Sequence, residues 1–178
     1  EGNLKVVARV SRTRLPPYVT ASHGYELVEV SRGRDAIKPA HWAPALTIDI
    51  ITRLSHVPSL EHLDLGESPI TDGELGSLRR LGNLKTLWLD GTKVLGQGLS
   101  ELPRSVERLD LSRTSIVDLP RLDGLIELRL DGATVAEREL EKLQEYPALE
   151  SLSLLDVELS SDFCKSLESY PTLKSVRV

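Results

Sequence analysis

From Leu60 onward the apolar residues fall into one uneven pattern that keeps returning. LEHLDL at 60 is followed by LKTLWL at 84, VERLDL at 106, LIELRL at 125, LESLSL at 149 and LKSVRV at 173. The starts step by 24, 22, 19, 24 and 24 residues. A period of this size marks a chain that stacks one unit on the next, because a single unit cannot bury its own apolar face. The last three positions of each core alternate apolar, variable, apolar, which predicts a short strand with two side chains inward and one outward. An earlier segment, YELVEV from Tyr25, fits the same strand, with Val28 and Val30 inward. The outward positions then form one row: Glu29, Asp64, Trp88, Asp110, Arg129, Ser153 and Arg177.

Between the strands the spacing changes. In TDGELGSLRRLGN, Thr71 or Asp72 can cap a helix whose Leu75, Leu78 and Leu81 share one face. VAERELEKLQEYPA and SSDFCKSLESYPT repeat the layout and close at Pro147 and Pro171. TIDIITRLSHVPS places Ile51, Leu54 and Val57 at the equivalent positions 24 residues earlier. VDLPRLDG, in the shortest unit, contains Pro120 and is predicted to be extended or a single turn.

These registered cores, of the form L-x-x-L-x-L-x-x-T-x-[IV], and the T-x-x-x-L-x-x-L-x-x-L limb resemble the leucine-rich repeat family in its bacterial form. The resemblance covers 60–178 closely and 25–59 more loosely. It implies an α/β solenoid: a horseshoe with a concave parallel sheet of about seven strands, short convex helices and an N-terminal cap. It also implies non-catalytic protein recognition on the concave sheet. The family often places Asn or Cys three residues after the last core leucine to tie the turn. Here that position holds Ser68, Thr92, Thr114, Ala133 and Val157; hydroxyls can replace part of the bonding, and Ala133 and Val157 cannot.

Upstream, NLKVVARV alternates as a half-buried strand would, and residues 1–24 are expected to form an N-terminal cap and linker. Residues 25–59 form an irregular repeat, with about 11 extra residues around RGRDAIKPAHW relative to the repeat period, and 60–178 the regular ones. At 178 residues and 40% hydrophobic content, the whole is expected to be one domain. The basic loop SRTRLPPYVTASHG is expected to be a solvated connector, with a second contact site as its alternative.

Charge sharpens the expectation about partners. Residues 1–59 hold eight basic and five acidic residues, a balance of +3, and residues 60–178 hold 14 and 22, a balance of −8. An acidic body repels phosphate backbones, so a basic or mixed-charge protein is the natural partner and nucleic acid is not. No apolar run approaches the roughly 20 residues of a spanning helix. The chain begins at Glu1, which leaves a removed leader, anchor or further domain open, while the single Cys164 tips the expectation toward a reducing, cytoplasmic setting.

Candidate chemistry is sparse. His23, His41, His56 and His62 lack metal-ligand spacing, and no cofactor motif occurs. Asp64 and Asp110 are expected two strands apart on a flat face that offers neither carboxyl the burial a general acid needs. Asp90-Gly91-Thr92 and Asp131-Gly132-Ala133 are turn sequences, and Cys164 is expected as a small buried residue on a convex helix.

The candidate partner site is therefore the concave group His62, Asp64, Trp88, Arg108, Asp110, Arg113, Glu127 and Arg129, with Trp88 pushed outward as the apolar anchor. The alternatives are a structural module within a larger assembly and the substrate-selecting arm of a longer enzyme. The final strand, 173–178, has no capping segment after it and invites either a partner strand or a weak edge-to-edge dimer.

Overall fold

The computed structural model describes residues 60–178 in full and the backbone of two earlier strands, β1 (Val6–Ser11) and β2 (Glu26–Arg32). Each repeated core forms a strand: β3 (Leu60–Asp64), β4 (Thr86–Trp88), β5 (Arg108–Asp110), β7 (Glu127–Arg129), β9 (Ser151–Ser153) and β10 (Ser175–Arg177). These six lie side by side in chain order and parallel, as stacked repeats require. Two shorter strands, β6 (Ser115–Ile116) and β8 (Thr134–Val135), pair in a separate ladder beside the short third unit.

Alternation does what the pattern predicted. Leu63, Leu87, Leu109, Leu128 and Leu152, and the leucines two residues after each, are at most 1% exposed. Leu75, Leu78, Leu81, Leu99, Leu119, Leu140 and Leu143 meet them from the convex side in one continuous core. Each such leucine contributes about 1.5–3 kcal/mol through burial.

The convex limbs are tighter than the helices expected. α1 (Asp72–Leu75), α2 (Glu137–Glu141) and α3 (Ser161–Ser166) each run on into a 3-10 turn, over Gly76–Arg80, Lys142–Glu145 and Leu167–Ser169. The reason lies in the spacing. Leu75, Leu78 and Leu81 recur every third residue, the period of a 3-10 helix, and all three are fully buried. Thr71 begins α1, its amide and hydroxyl both donating to Glu74 Oε2 at 2.8 and 2.7 Å. Ser160 caps α3 by accepting the Phe163 amide at 3.1 Å. Residues 117–124, around Pro120, contain no helix. Cys164 lies on α3 as expected but is half-buried rather than buried.

The core strands β3, β4, β5, β7 and β9 each leave through the same bend, with a left-handed residue two positions after the last core leucine: Glu67, Gly91, Arg113, Gly132 and Asp156, all with φ between 57° and 64°. The hydroxyls that follow in the first three turns tie them shut. Ser68 donates to Leu65 O at 2.6 Å, Thr92 to Leu89 O at 2.6 Å and Thr114 to Leu111 O at 2.5 Å. Ala133 and Val157 close their turns with the backbone amide alone, at 2.9 and 3.2 Å.

The N-terminal order departs from the expectation. The repeat pattern predicts YELVEV as a strand stacked in parallel, next in line before Leu60. Instead β1 pairs in parallel with β3, and β2 lies outside it, antiparallel, at the far edge of what is an eight-stranded sheet among the described residues. Alternation identifies a strand but not its neighbour or direction, and here β1 takes the place beside the first repeat. The convex segment before Leu60, the RGRDAIKPAHW insertion and the basic loop over 12–24 lie outside the described residues.

Candidate functional site

The parallel register carries two outward rows across the concave face. One runs Asp64, Trp88, Asp110, Arg129, Ser153, Arg177. Ahead of Asp64 the backbone register pairs Asp64 with Arg9 and Arg9 with Glu29, one strand further out than a next-in-line repeat strand would place it. The second row runs His62, Thr86, Arg108, Glu127, Ser151, Ser175. Seven of the eight candidate residues thus lie in these two rows on four adjacent strands, β3, β4, β5 and β7.

Trp88 is half-buried, less exposed than alternation alone suggested. Its ring lies 6.3 Å from that of His62, tilted by 34°, and the two make an aromatic ridge. Asp64 and Asp110 flank Trp88 on the neighbouring strands, and each carboxylate folds back on its own turn: Asp64 Oδ1 accepts the Gly66 amide at 3.0 Å and Asp110 Oδ1 the Ser112 amide at 2.9 Å. The carboxylates are held in place by the bends that end their strands. Arg108 and Glu127 face each other at 3.8 Å, an exposed pair of small energetic weight.

Arg113 does not share the rows. It stands in the left-handed bend after β5, at the rim, where its guanidinium bridges Glu67 and Asp90, the latter at 2.5 Å. Arg129 builds a similar bridge one strand on, 3.7 Å from Asp110 and 3.0 Å from Asp131. Asp131 also accepts Ser153 Oγ at 2.6 Å and the Leu155 amide at 3.1 Å. Burial pushes its carboxyl upward, but the bonds from Ser153 and Arg129 outweigh burial and hold it below the usual range.

The sequence pattern marks Asp90 and Asp131 only as turn residues and does not single out Ser112. They occupy the position directly after the last core leucine, which the register brings to one edge of the sheet, beside the candidate row. Their fixed offset from that leucine was the signal available. The arrangement is an aromatic ridge between carboxylates, rimmed by arginine–carboxylate bridges, on a sheet face. Among the described residues, no helix is long and apolar enough to cross a membrane.

No family model matches the sequence, and no curated protein does either. Solved structures do match. An internalin (inlF) from Listeria monocytogenes superimposes with a TM-score of 0.58 at 21% identity, over 71% of this chain and 37% of its own. Internalin C2 (inlC2) from the same organism superimposes with a TM-score of 0.56 at 26% identity, over 70% of this chain and 54% of its own. The chain therefore spans well under two thirds of either protein. Both are leucine-rich repeat proteins, and the chain has their fold: an α/β solenoid with a parallel sheet and short helices. Folds of this kind serve in general as protein-interaction modules.

Proposed function

We propose that this chain is a non-catalytic recognition module whose concave sheet takes a protein partner of basic or mixed charge. The contact residues are His62, Asp64, Trp88, Arg108, Asp110, Arg113, Glu127 and Arg129. The observation that carries the reading is the position of Trp88. The alternation that buries Leu87 and Leu89 forces a large aromatic outward, beside His62 and between two carboxylates. An aromatic anchor with a charged rim is the usual anatomy of an interface hot spot. The acidic balance of 60–178 supports a basic partner, through faster encounter more than through tighter holding.

The test begins with the partner captured on the wild-type chain and identified by mass spectrometry, then titrated by calorimetry against Trp88→Ala. Binding weakens by about 2 kcal/mol or more. Because the ring is half-buried, folding stability falls by only about 1 kcal/mol. Asp64→Asn, which retains an acceptor for the Gly66 amide, weakens binding further at low salt than at high salt. Undiminished binding by folded Trp88→Ala sinks the reading.

A second contact is proposed at β10. Ser175, Val176 and Arg177 are all exposed there, and the partner or, more weakly, a second copy of the chain pairs with this strand.

A further inference from the structure

On the rim opposite the bends, the chain makes a tight turn before it enters a core strand. In two successive units these turns run over 103–106 and 122–125, closed by the Val106 amide to Pro103 O at 3.1 Å and the Leu125 amide to Leu122 O at 3.2 Å. They pack backbone to backbone. A Cβ on Gly124 would stand 2.4 Å from Arg104 O, so glycine is what permits the approach. The limb that leads into the second turn is the short one around Pro120, which contains no helix. Where that limb meets the first turn lies a hollow of about 170 Å³.

The hollow has an apolar floor and a cationic mouth. Leu102 and Val106 are 8% and 5% exposed and Leu122 is half-buried, while Arg104 and Arg121 are exposed. The Arg104 guanidinium has no ion pair or hydrogen bond among the described residues. Arg121 gives Nε to Asp123 Oδ1 at 2.7 Å and keeps both Nη groups unused. Asp123 is the one acid in the lining, and Glu101, next to it in sequence, is held by Arg79 at 3.4 Å. The Arg104, Asp123 and Gly124 amides, in the middle of their turns, bond to no protein group. Two guanidiniums thus stand against one carboxylate, a local balance of +1 in a region, 60–178, whose balance is −8. A surplus of N–H donors and of positive charge above an aliphatic floor suits a carboxylate on a short aliphatic stem, since the planar guanidinium fork matches the planar carboxylate.

We infer that this hollow takes one aspartate or glutamate side chain of a protein partner, its carboxylate between Arg104 and Arg121 and its methylenes on Leu102, Val106 and Leu122. The volume admits one side chain and excludes a folded element. The site lies off the concave sheet and uses none of the residues assigned to recognition there, so either reading can fail without the other.

The first test needs no partner. N-acetyl-glutamate methylamide is titrated into the ¹⁵N-labelled chain, with N-acetyl-glutamine methylamide as the uncharged comparison. The expected result is a saturable shift of the Arg104, Ser105, Asp123 and Gly124 amides with glutamate, in the millimolar range that exposed ion pairs give, weakened by salt and absent with glutamine. Arg104→Gln and Arg121→Gln, both at exposed side chains, each weaken the response about three- to fivefold. Arg80→Gln, at an exposed arginine outside the hollow, leaves it unchanged, and so does Trp88→Ala. Shifts that do not saturate, that appear equally with glutamine, or that survive both arginine variants overturn the site. The second test uses the captured partner, whose affinity Arg104→Gln lowers several-fold. A saturable titration with partner affinity unmoved by Arg104→Gln and Arg121→Gln overturns the assignment to the partner and leaves the hollow to a free carboxylic acid.

Discussion

The five bends show how a single dihedral shapes a repeat. An L-residue in the left-handed region costs roughly 1–2 kcal/mol, less for a short polar side chain, and glycine has no such penalty. This chain uses glycine at two bends, Gly91 and Gly132, and accepts the cost at Glu67, Arg113 and Asp156. At Gly132 a Cβ would meet nothing closer than Arg113 Cγ at 3.7 Å, so space is available and only the dihedral resists. Gly76 is the opposite case. It closes α1 with φ −57° and ψ −28°, ordinary helical values, and a Cβ there meets nothing within 4 Å. Gly132→Ala is therefore expected to lower stability by about 1–2 kcal/mol, and Gly76→Ala to raise it by about 0.5–1 kcal/mol. Urea denaturation of the two variants checks both signs, and equal shifts in one direction would show that neither dihedral governs. Both Asp-Gly pairs were visible in the sequence as turn signals. That Glu67, Arg113 and Asp156 share the conformation was not, since only the stacking of one repeat on the next imposes it.

At the scale of elements, the limbs hold adjacent repeats together with carboxylates aimed at backbone amides. Asp72, at the start of α1, accepts the Leu95, Gly96 and Gly98 amides of the next unit at 2.8, 2.9 and 2.7 Å. Glu137 on α2 reaches forward to the amide and hydroxyl of Ser160. Glu139, 6% exposed, reaches back to the Leu119 amide at 3.1 Å and takes Lys142 Nζ at 2.6 Å, while Lys142 also holds Asp118 at 3.1 Å. The Lys142 bond is the main reason the Glu139 carboxyl titrates below its usual range, against the upward push of burial. A carboxyl depressed in the folded state stabilises the fold above the unfolded value of about 4.3. That stability is lost as pH falls through the lower, folded value. Stability should therefore drop on acidification from about pH 5 toward pH 3, and Glu139→Gln should flatten the slope while lowering stability at pH 7 by about 1–3 kcal/mol. Denaturant midpoints at several pH values decide the matter; an unchanged acid slope in the variant would assign the drop to other carboxylates, Glu74 and Asp131 among them. The sequence showed the leucines of these limbs plainly, because burial imposes a period. It did not show the staples, because a carboxylate on a convex turn has no period and its partner lies 20 or more residues away.

For the molecule as a whole, a solenoid's stability is close to the sum of its units and the interfaces between them, so an edge strand matters more than its few residues suggest. The concave row was legible from alternation alone, down to the order Asp64, Trp88, Asp110, Arg129, Ser153, Arg177, because stacking cores that share one inward leucine pattern leaves the register no choice. The rim bridges from Arg113 to Glu67 and Asp90 were not, because they join bend residues of successive repeats whose approach depends on the bends. The order of β1 and β2 was missed because nothing in a strand's own sequence names its neighbour. At the other end, β10 pairs with β9 on one side, while Val176 and Val178 remain 37% and 65% exposed. In the inner units the equivalents of Val176, such as Leu128 and Leu152, are at most 1% exposed because the next repeat covers them. Appending one polar capping repeat after Val178 should bury both valines, pair the outer edge of β10 and stabilise the chain by about 1–2 kcal/mol. That amounts to a rise in melting temperature of about 2–8 °C. Sedimentation velocity on the 178-residue chain and on the capped version separates the two ways of covering this strand. A concentration-dependent dimer that the cap abolishes identifies β10 as the self-pairing edge. A chain that stays monomeric yet gains stability on capping leaves β10 to the protein partner. An unchanged melting temperature with no dimer in either form would mean that Lys174 and Arg177 already shield the strand, and the contact proposed there would be withdrawn.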